Sequence, residues 1–247
     1  TGPHYSETGR LVLLGYSEGG LAAMAAMDAL VSGRIPAPGL RLTAAYPLAA
    51  PLNLMAGVPF MTEEPEILGH PEYQVFLVLG WARAYPGLVK PEEILKPEAI
   101  RDIVPLFDGR HSADELNTQI AKAVGKRKGL VSAEDLFLPA YLEALRKDPE
   151  SLAYYRAQMA ARLDTWTPPK DLKVLLAASP TDEVVRYSNS SGEAAWAEAK
   201  APGSGLRLLD LQAKDHGRGA DEALLYAVLD IDRDEAQAQA AGQAMKP

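Results

Sequence analysis

The sequence predicts an α/β fold with a mainly parallel sheet and a large helical insertion. Short apolar runs alternate with helix-like patterns near both ends of the chain, which is typical of parallel strands joined by helices. Between residues 59 and 169 the strand pattern disappears and several helix patterns follow one another. We therefore predict a first core part over residues 1–58, a helical cap over 59–169 and a second core part over 170–247.

The elements of the two core parts can be placed individually. A helix pattern over 188–200 carries Trp196, which we expect to face the sheet. The last helix is expected to begin at about residue 220 and to end at about 231, followed by a frayed helical tail over 232–247. The predicted strands cover residues 11–14, 40–46, 172–178 and 206–211.

Composition limits the classes of function. The chain has 247 residues, of which 47% are hydrophobic, so it can bury a substantial core. Its net charge is −8, and an acidic surface disfavours nucleic acids as partners. No run reaches 18 apolar residues, so we predict no transmembrane segment. There is no cysteine, which excludes disulfides and thiolate metal sites.

The most informative motif lies between the first predicted strand, 11–14, and the helix predicted over 18–31. Here Gly15-x-Ser17-x-Gly19 stands where a strand turns sharply into a helix. This context is the one that a nucleophile elbow requires, because the turn exposes the serine hydroxyl at the edge of the sheet. The same pattern can also be a small-residue turn without catalytic meaning.

Physical requirements of such an elbow match the residues around Ser17. The serine needs a strained backbone, and its flanks must approach neighbouring chain without a Cβ atom, a role expected of Gly15 and Gly19. Gly20 is expected to let the helix pack tightly on the sheet. The helix N-terminus directs unpaired N–H groups at the serine, so the backbone N–H of Glu18 is a candidate oxyanion donor.

A base and an acid follow the serine in the chain. His216 comes after the predicted strand 206–211, and Asp182 comes after the predicted strand 172–178. Because the carboxyl ends of parallel strands meet at one edge of a sheet, Ser17, Asp182 and His216 are expected to converge there.

Other residues compete for the same roles. The remaining histidines, His4, His70 and His111, lie in the N-terminal loop or in the cap region and are expected to have structural roles. For the acid, the alternatives to Asp182 are Asp210, Asp215, Asp221 and Glu183.

No cofactor or metal site is expected. The chain contains no glycine-rich dinucleotide motif and no H-E-x-x-H motif, and its four histidines are scattered. Aromatic side chains at helical spacing in the cap could form its core or line an acyl pocket: Tyr73, Phe76, Trp81, Tyr85, Tyr154, Tyr155 and Trp166.

Three segments resemble the α/β-hydrolase superfamily, and more narrowly the bacterial relatives of fungal secretory lipases. They are the elbow at 15–20 (GYSEGG), the acid loop at 179–185 (SPTDEVV) and the histidine loop at 215–217 (DHG). The resemblance extends from residue 11 to about 231.

The resemblance implies a serine esterase or lipase in which Ser17, His216 and Asp182 form the triad, with a small-molecule ester or lipid as substrate. It also implies that an N-terminal part of the core, including the second oxyanion donor, is absent from this chain, because only ten residues precede residue 11. A secreted or cell-envelope location would fit the family, and a cytoplasmic one stays open. The alternatives are an acyltransferase or peptidase of the same fold, and a binding protein without catalysis.

Overall fold

The structure is a computed structural model that describes residues 8–57 and 67–244. Four strands form one parallel sheet, and the strands lie side by side in the order of the chain. All four carboxyl ends therefore lie along one edge of the sheet. The strands are β1 (Arg10–Tyr16), β2 (Arg41–Leu48), β3 (Lys173–Ala178) and β4 (Leu206–Asp210).

The described residues also form helices before, between and after the strands in the chain. The α-helices are α1 (Glu18–Val31), α2 (Pro71–Ala84), α3 (Pro97–Asp102), α4 (Ala113–Ala123), α5 (Ala133–Leu136), α6 (Pro139–Lys147), α7 (Ala153–Ala160), α8 (Ser188–Lys200) and α9 (His216–Ala244). Short 3₁₀ turns cover Leu54–Gly57, Pro91–Glu93, Val104–Leu106 and Pro149–Ser151.

The chain divides into two compact units. The sheet unit comprises Thr1–Asn53 and Arg162–Pro247, and the helical unit comprises Leu54–Ala161. The boundaries predicted from the sequence were residues 59 and 169, so Trp166, counted there among the cap aromatics, lies in the sheet unit.

The sheet unit has an apolar cluster on each face of the sheet. Neighbouring residues of β2 alternate between the two clusters: Ala44 and Tyr46 belong to one and Ala45 to the other. Helix α1 contributes Met24 and Met27 to the cluster that contains Ala45, and α9 contributes residues to the opposite one. This layered arrangement is the α/β architecture that the sequence predicts.

Helix α9 differs from its prediction. It begins at His216, four residues earlier than expected, and remains helical to Ala244. Its start is capped by Asp215, whose carboxylate accepts a hydrogen bond from the N–H of Arg218. The tail expected after residue 231 is thus helical as far as Ala244, and near its start Asp234 pairs with Lys173 of β3 at 2.8 Å.

Helix α8 has the predicted bounds but buries a different face. Trp196 is 37% exposed, and the ammonium of Lys200 lies 5.1 Å from the centre of its ring, so the prediction that Trp196 faces the sheet is wrong. The buried residues are instead Ala197 and three polar ones, Asn189, Ser190 and Glu193.

The helical unit has an apolar core of its own, built from residues of α2 to α7 and the connections between them, with Ile103, Ile120 and Leu136 at its centre. Across its described residues, the only strand-like pairings are two isolated bridges, Ile67 with Ser132 and Leu95 with Phe137. The prediction of a helical insertion between the second and third strands is therefore confirmed for these residues. That this unit caps an active site stays a prediction.

Candidate active site

A single residue, Ser17, forms the turn between β1 and α1. Its backbone has φ 56° and ψ −123°, a positive φ that side-chain-bearing residues rarely adopt. The N–H of Ser17 donates a hydrogen bond of 2.9 Å to the carbonyl oxygen of Leu48, at the end of the neighbouring strand β2. The strained turn is thus tied to the sheet, and it presents the serine side chain at the carboxyl edge of the strands.

Two glycines make this turn possible, and they differ in part from the expected pair. A Cβ atom at Gly15 would lie 2.0 Å from the carbonyl oxygen of Gly19, and one at Gly20 would lie 2.6 Å from that of Leu48. Either contact is far too close for real atoms. A Cβ at Gly19 would meet nothing within 4 Å, so the expectation that Gly19 is needed for a close approach is wrong.

His216 lies between Ser17 and Asp182. Its Nε2 atom is 2.9 Å from the Oγ of Ser17, and its Nδ1 atom is 2.7 Å from Oδ2 of Asp182. An ionised carboxylate can only accept hydrogen bonds, so the imidazole proton belongs on Nδ1. Nε2 is then the acceptor for the serine hydroxyl, which is the arrangement that a general base needs.

Backbone groups hold the carboxylate of Asp182 in place. Its Oδ1 accepts hydrogen bonds from the N–H groups of Val184 at 2.9 Å and Val185 at 2.8 Å, while Oδ2 faces the histidine. The side chain is only 1% exposed. Both oxygens are therefore engaged, and the carboxylate is fixed in the orientation that selects the Nδ1–H tautomer of His216.

The competing acids have other partners. Asp215 caps α9, and Asp210 accepts a hydrogen bond of 2.6 Å from the hydroxyl of Tyr187. Glu183 accepts from the backbone N–H of His216 at 3.1 Å, so it contacts the histidine main chain and not the imidazole. Asp221 lies within α9.

The other histidines that the structure describes lie in the helical unit. Nδ1 of His70 is 3.0 Å from a carboxylate oxygen of Glu72, and Nδ1 of His111 is 3.1 Å from both Asp108 and the carbonyl oxygen of Leu106. His4 lies outside the described residues.

Glu18 occupies the first position of α1, directly after Ser17. An N–H group in the first turn has no acceptor within its own helix, and the partial positive charge of the helix end favours a negative oxygen nearby. The backbone N–H of Glu18 therefore stays a candidate oxyanion donor.

Two groups of contacts at the site were not predicted. Side chains at alternate positions of the acid loop bind the segment just before the histidine loop: Ser179 donates to the carbonyl oxygen of Ala213 at 2.6 Å and Thr181 to that of Lys214 at 3.2 Å. The alternation of polar side chains at 179, 181 and 183 is a signal that could have revealed this pairing. The carboxylate of Glu222 also accepts from the N–H groups of Gln212 and Ala213.

The second unpredicted contact is made by Tyr16, the residue before the serine. Its hydroxyl donates a hydrogen bond of 2.7 Å to the carbonyl oxygen of His216. Burial raises the pKa of this phenol well above its usual value, and the nearby charges of Asp182, Glu183 and Asp215 raise it further. Tyr16 is therefore a neutral donor. No local sequence signal points to this contact, because the two residues are 200 positions apart.

None of the helices within the described residues combines the length and the apolar composition that a membrane span requires. Nor do these residues bring together three or more acidic or histidine side chains in an arrangement suited to a metal ion.

The fold is similar to those of known ester-cleaving enzymes. The rice cell wall degrading esterase LipA from Xanthomonas oryzae matches with a TM-score of 0.67 at 18% sequence identity, over 90% of this chain and 55% of LipA. Lipase A from Candida antarctica matches with a TM-score of 0.56 at 19% identity, over 84% of this chain and 44% of the lipase. No protein-family model matches the chain, and no curated protein matches it by sequence.

The chain spans about half the length of these solved structures. At such low sequence identity, the likeness concerns the course of the backbone and not the substrate. It agrees with the α/β architecture described above. The chain therefore has an α/β-hydrolase fold of the kind found in lipases and esterases.

Proposed function

We propose that this chain carries the catalytic centre of a serine hydrolase that cleaves carboxylic esters. The observation that supports it most directly is the hydrogen-bonded series from Ser17 through His216 to Asp182, located at a strained strand-to-helix turn. Each residue follows a different strand of the sheet, in the order Ser, Asp, His that this fold uses. The solved structures of similar fold include an esterase and a lipase, which favours esters as the substrate class.

In the first half of the proposed reaction, Oγ of Ser17 attacks the ester carbonyl carbon. The hydroxyl proton passes to Nε2 of His216, and the imidazolium that forms is stabilised by the carboxylate of Asp182. The carbonyl oxygen becomes an oxyanion, and the tetrahedral intermediate collapses as His216 returns the proton to the departing alcohol. The product is an acyl group bound to Ser17.

The start of α1 assists at the oxyanion. The N–H of Glu18 would donate to the developing negative charge, and the helix dipole adds to this stabilisation. Such donors act most strongly in the transition state, because the ground-state carbonyl carries less charge.

Water completes the cycle. His216 takes a proton from a water molecule, which attacks the acyl carbon, and the same histidine then returns that proton to Oγ as the carboxylic acid leaves. Ser17, His216 and Asp182 recover their starting protonation states, and no cofactor takes part in this scheme.

The experiment that tests the proposal measures hydrolysis of p-nitrophenyl esters of increasing acyl length by the full-length gene product. Changing Ser17 to Ala should lower turnover by about 10⁵- to 10⁶-fold, because the three residues act as one unit. Ser32, at the opposite end of α1, provides the matched control, and Ser32→Ala should retain wild-type turnover. Wild-type turnover in the Ser17→Ala variant would disprove the proposal.

A further inference from the structure

We propose that Tyr16 is a positioning residue that holds His216 at the correct distance from Ser17. The inference rests on the proposed function, because it assigns a task within the same reaction. Tyr16 is adjacent to the serine in the chain, and its hydroxyl is hydrogen-bonded to the main chain of the histidine at 2.7 Å. The side chain therefore connects the two halves of the site through the main chain of the histidine.

The base of this connection is rigid. Tyr16 is the last residue of β1 and lies in register with Leu48 of β2. The carbonyl oxygen of the same Leu48 accepts the hydrogen bond from the N–H of Ser17. The backbones of Tyr16 and Ser17 are thus fixed to one point of the sheet, so the position of the phenol relative to the serine is fixed as well.

The far end of the connection reaches His216 in two ways. The hydroxyl binds its carbonyl oxygen, and the phenol ring packs beside the imidazole, with ring centres 5.0 Å apart and planes inclined by 42°. Rotation of the imidazole relative to Ser17 would disturb the contact between the rings, and movement of the His216 main chain would disturb the hydrogen bond. Because the pKa of the phenol is raised, the hydroxyl keeps its proton and remains a donor over the pH range in which an esterase would operate.

A glycine in α9 provides space for the hydroxyl. A Cβ atom at Gly219 would lie 2.7 Å from the hydroxyl oxygen of Tyr16. The next nearest atoms, Cδ1 of Leu211 at 3.7 Å and Cζ of Tyr16 at 3.8 Å, are at ordinary contact distance. The hydroxyl of Tyr16 is therefore the only one of these three atoms that leaves no room for a Cβ atom at Gly219, and a methyl group would fit if the hydroxyl were absent.

These contacts predict a defect in turnover and not in substrate binding. Tyr16→Phe removes only the hydroxyl and keeps the ring. Since small displacements of a catalytic group cost up to about 10²-fold in rate, we expect kcat to fall by about 10- to 100-fold. KM should stay within about twofold, because the hydroxyl is already engaged by the carbonyl oxygen of His216.

Four proteins test the inference: the wild type, Tyr16→Phe, Gly219→Ala and the double variant. Gly219→Ala should lower kcat to a similar extent, because the new methyl group displaces the hydroxyl. In the double variant the clash no longer exists, so kcat should equal that of Tyr16→Phe and not the product of the two losses.

Tyr46→Phe is the matched control. Tyr46 lies on the neighbouring strand β2, and its hydroxyl also binds a residue of α9, donating to Asp230 at 3.1 Å. Removing this hydroxyl should lower the melting temperature without changing kcat. If the role of Tyr16 were purely structural, Tyr16→Phe would likewise lower the melting temperature and leave kcat unchanged.

The outcomes separate the inference from the function on which it rests. Wild-type kcat in Tyr16→Phe, or multiplicative losses in the double variant, would overturn the positioning role while Ser17→Ala still abolishes hydrolysis. Wild-type hydrolysis in Ser17→Ala would overturn the proposed function, and the positioning role with it.

Discussion

The Oγ atom of Ser17 and the Nε2 atom of His216 lie 2.9 Å apart, although 199 positions separate the two residues in the chain. The parallel sheet explains this proximity. Ser17 follows β1 and His216 opens the helix after β4, and both strands end at the same edge. The loop after β3 brings Asp182 to the other side of the imidazole.

Asp182→Asn should impair turnover by changing the tautomer of His216. The new amide would donate to Nδ1, so the imidazole proton would move to Nε2 and face the serine hydroxyl. Nε2 could then no longer accept the serine proton, and we expect kcat to fall by about 10⁴-fold with little change in KM. Steady-state hydrolysis of a p-nitrophenyl ester measures this.

Asp210→Asn is the control for this change. Asp210 is the acceptor for Tyr187 and does not contact the imidazole, so its variant should keep near-normal kcat. Equal losses in the two variants would argue against the assignment of the acid.

The glycines of the elbow should differ in their tolerance of a methyl group. Gly15→Ala and Gly20→Ala create contacts of 2.0 and 2.6 Å with carbonyl oxygens, so each should lower the free energy of unfolding by about 1–3 kcal/mol or more. Gly19→Ala meets no atom within 4 Å and should be neutral or slightly stabilising, because alanine favours the helix. Urea unfolding distinguishes these cases, and equal effects at all three positions would contradict the described turn.

Glu193 should make stability depend on pH. This residue of α8 is 0% exposed, and one of its carboxylate oxygens has no hydrogen-bond partner within the described part of the chain. The pKa of the carboxyl group is raised from 4.5 to about 8, mainly by burial; the hydrogen bond from the N–H of Trp166 opposes the rise, and the charge of Asp164 adds to it. The folded state therefore holds a proton that the unfolded state releases between these two pH values.

The sign of the effect follows from proton linkage. Where the folded state binds more protons, the free energy of unfolding falls as pH rises. The contribution of Glu193 is thus fully present below pH 4.5 and is lost as pH approaches 8. Glu193→Gln cannot ionise, so the difference in stability between variant and wild type should grow in favour of the variant from pH 5 to pH 8.5. Urea unfolding at both pH values measures it, and a constant difference would contradict the raised pKa.

Sequence patterns were sufficient to predict most of the fold. The bounds of α1 and α8 agree with the predicted ranges 18–31 and 188–200, and each strand lies within two residues of its prediction. The start of α9 was missed because Gly217 and Gly219 weaken a helix pattern, whereas Asp215 caps the helix at its actual start. In α8, hydrophobic spacing favoured Trp196 as the buried residue, whereas the structure buries Ala197 together with the polar residues Asn189, Ser190 and Glu193.

The candidate site was predictable to the extent that it depends on strand order. Residue type and position after a strand selected Ser17 and His216, and the resemblance to the hydrolases favoured Asp182 over the other acids. The role of Tyr16 was not predictable, because its partner is the main chain of a residue that only the complete sheet brings near. Likewise, the need for glycine at 219 becomes visible only when the phenol is in place.

The most direct test of the catalytic proposal is covalent labelling of the full-length gene product with a fluorophosphonate. Such a reagent loses fluoride and forms a P–O bond with a serine hydroxyl that a neighbouring base activates. We predict one adduct per chain, located by peptide mass spectrometry on Ser17, absent from Ser17→Ala and formed much more slowly in Asp182→Asn. An adduct on a different serine, or unchanged labelling of the Ser17→Ala variant, would contradict the account.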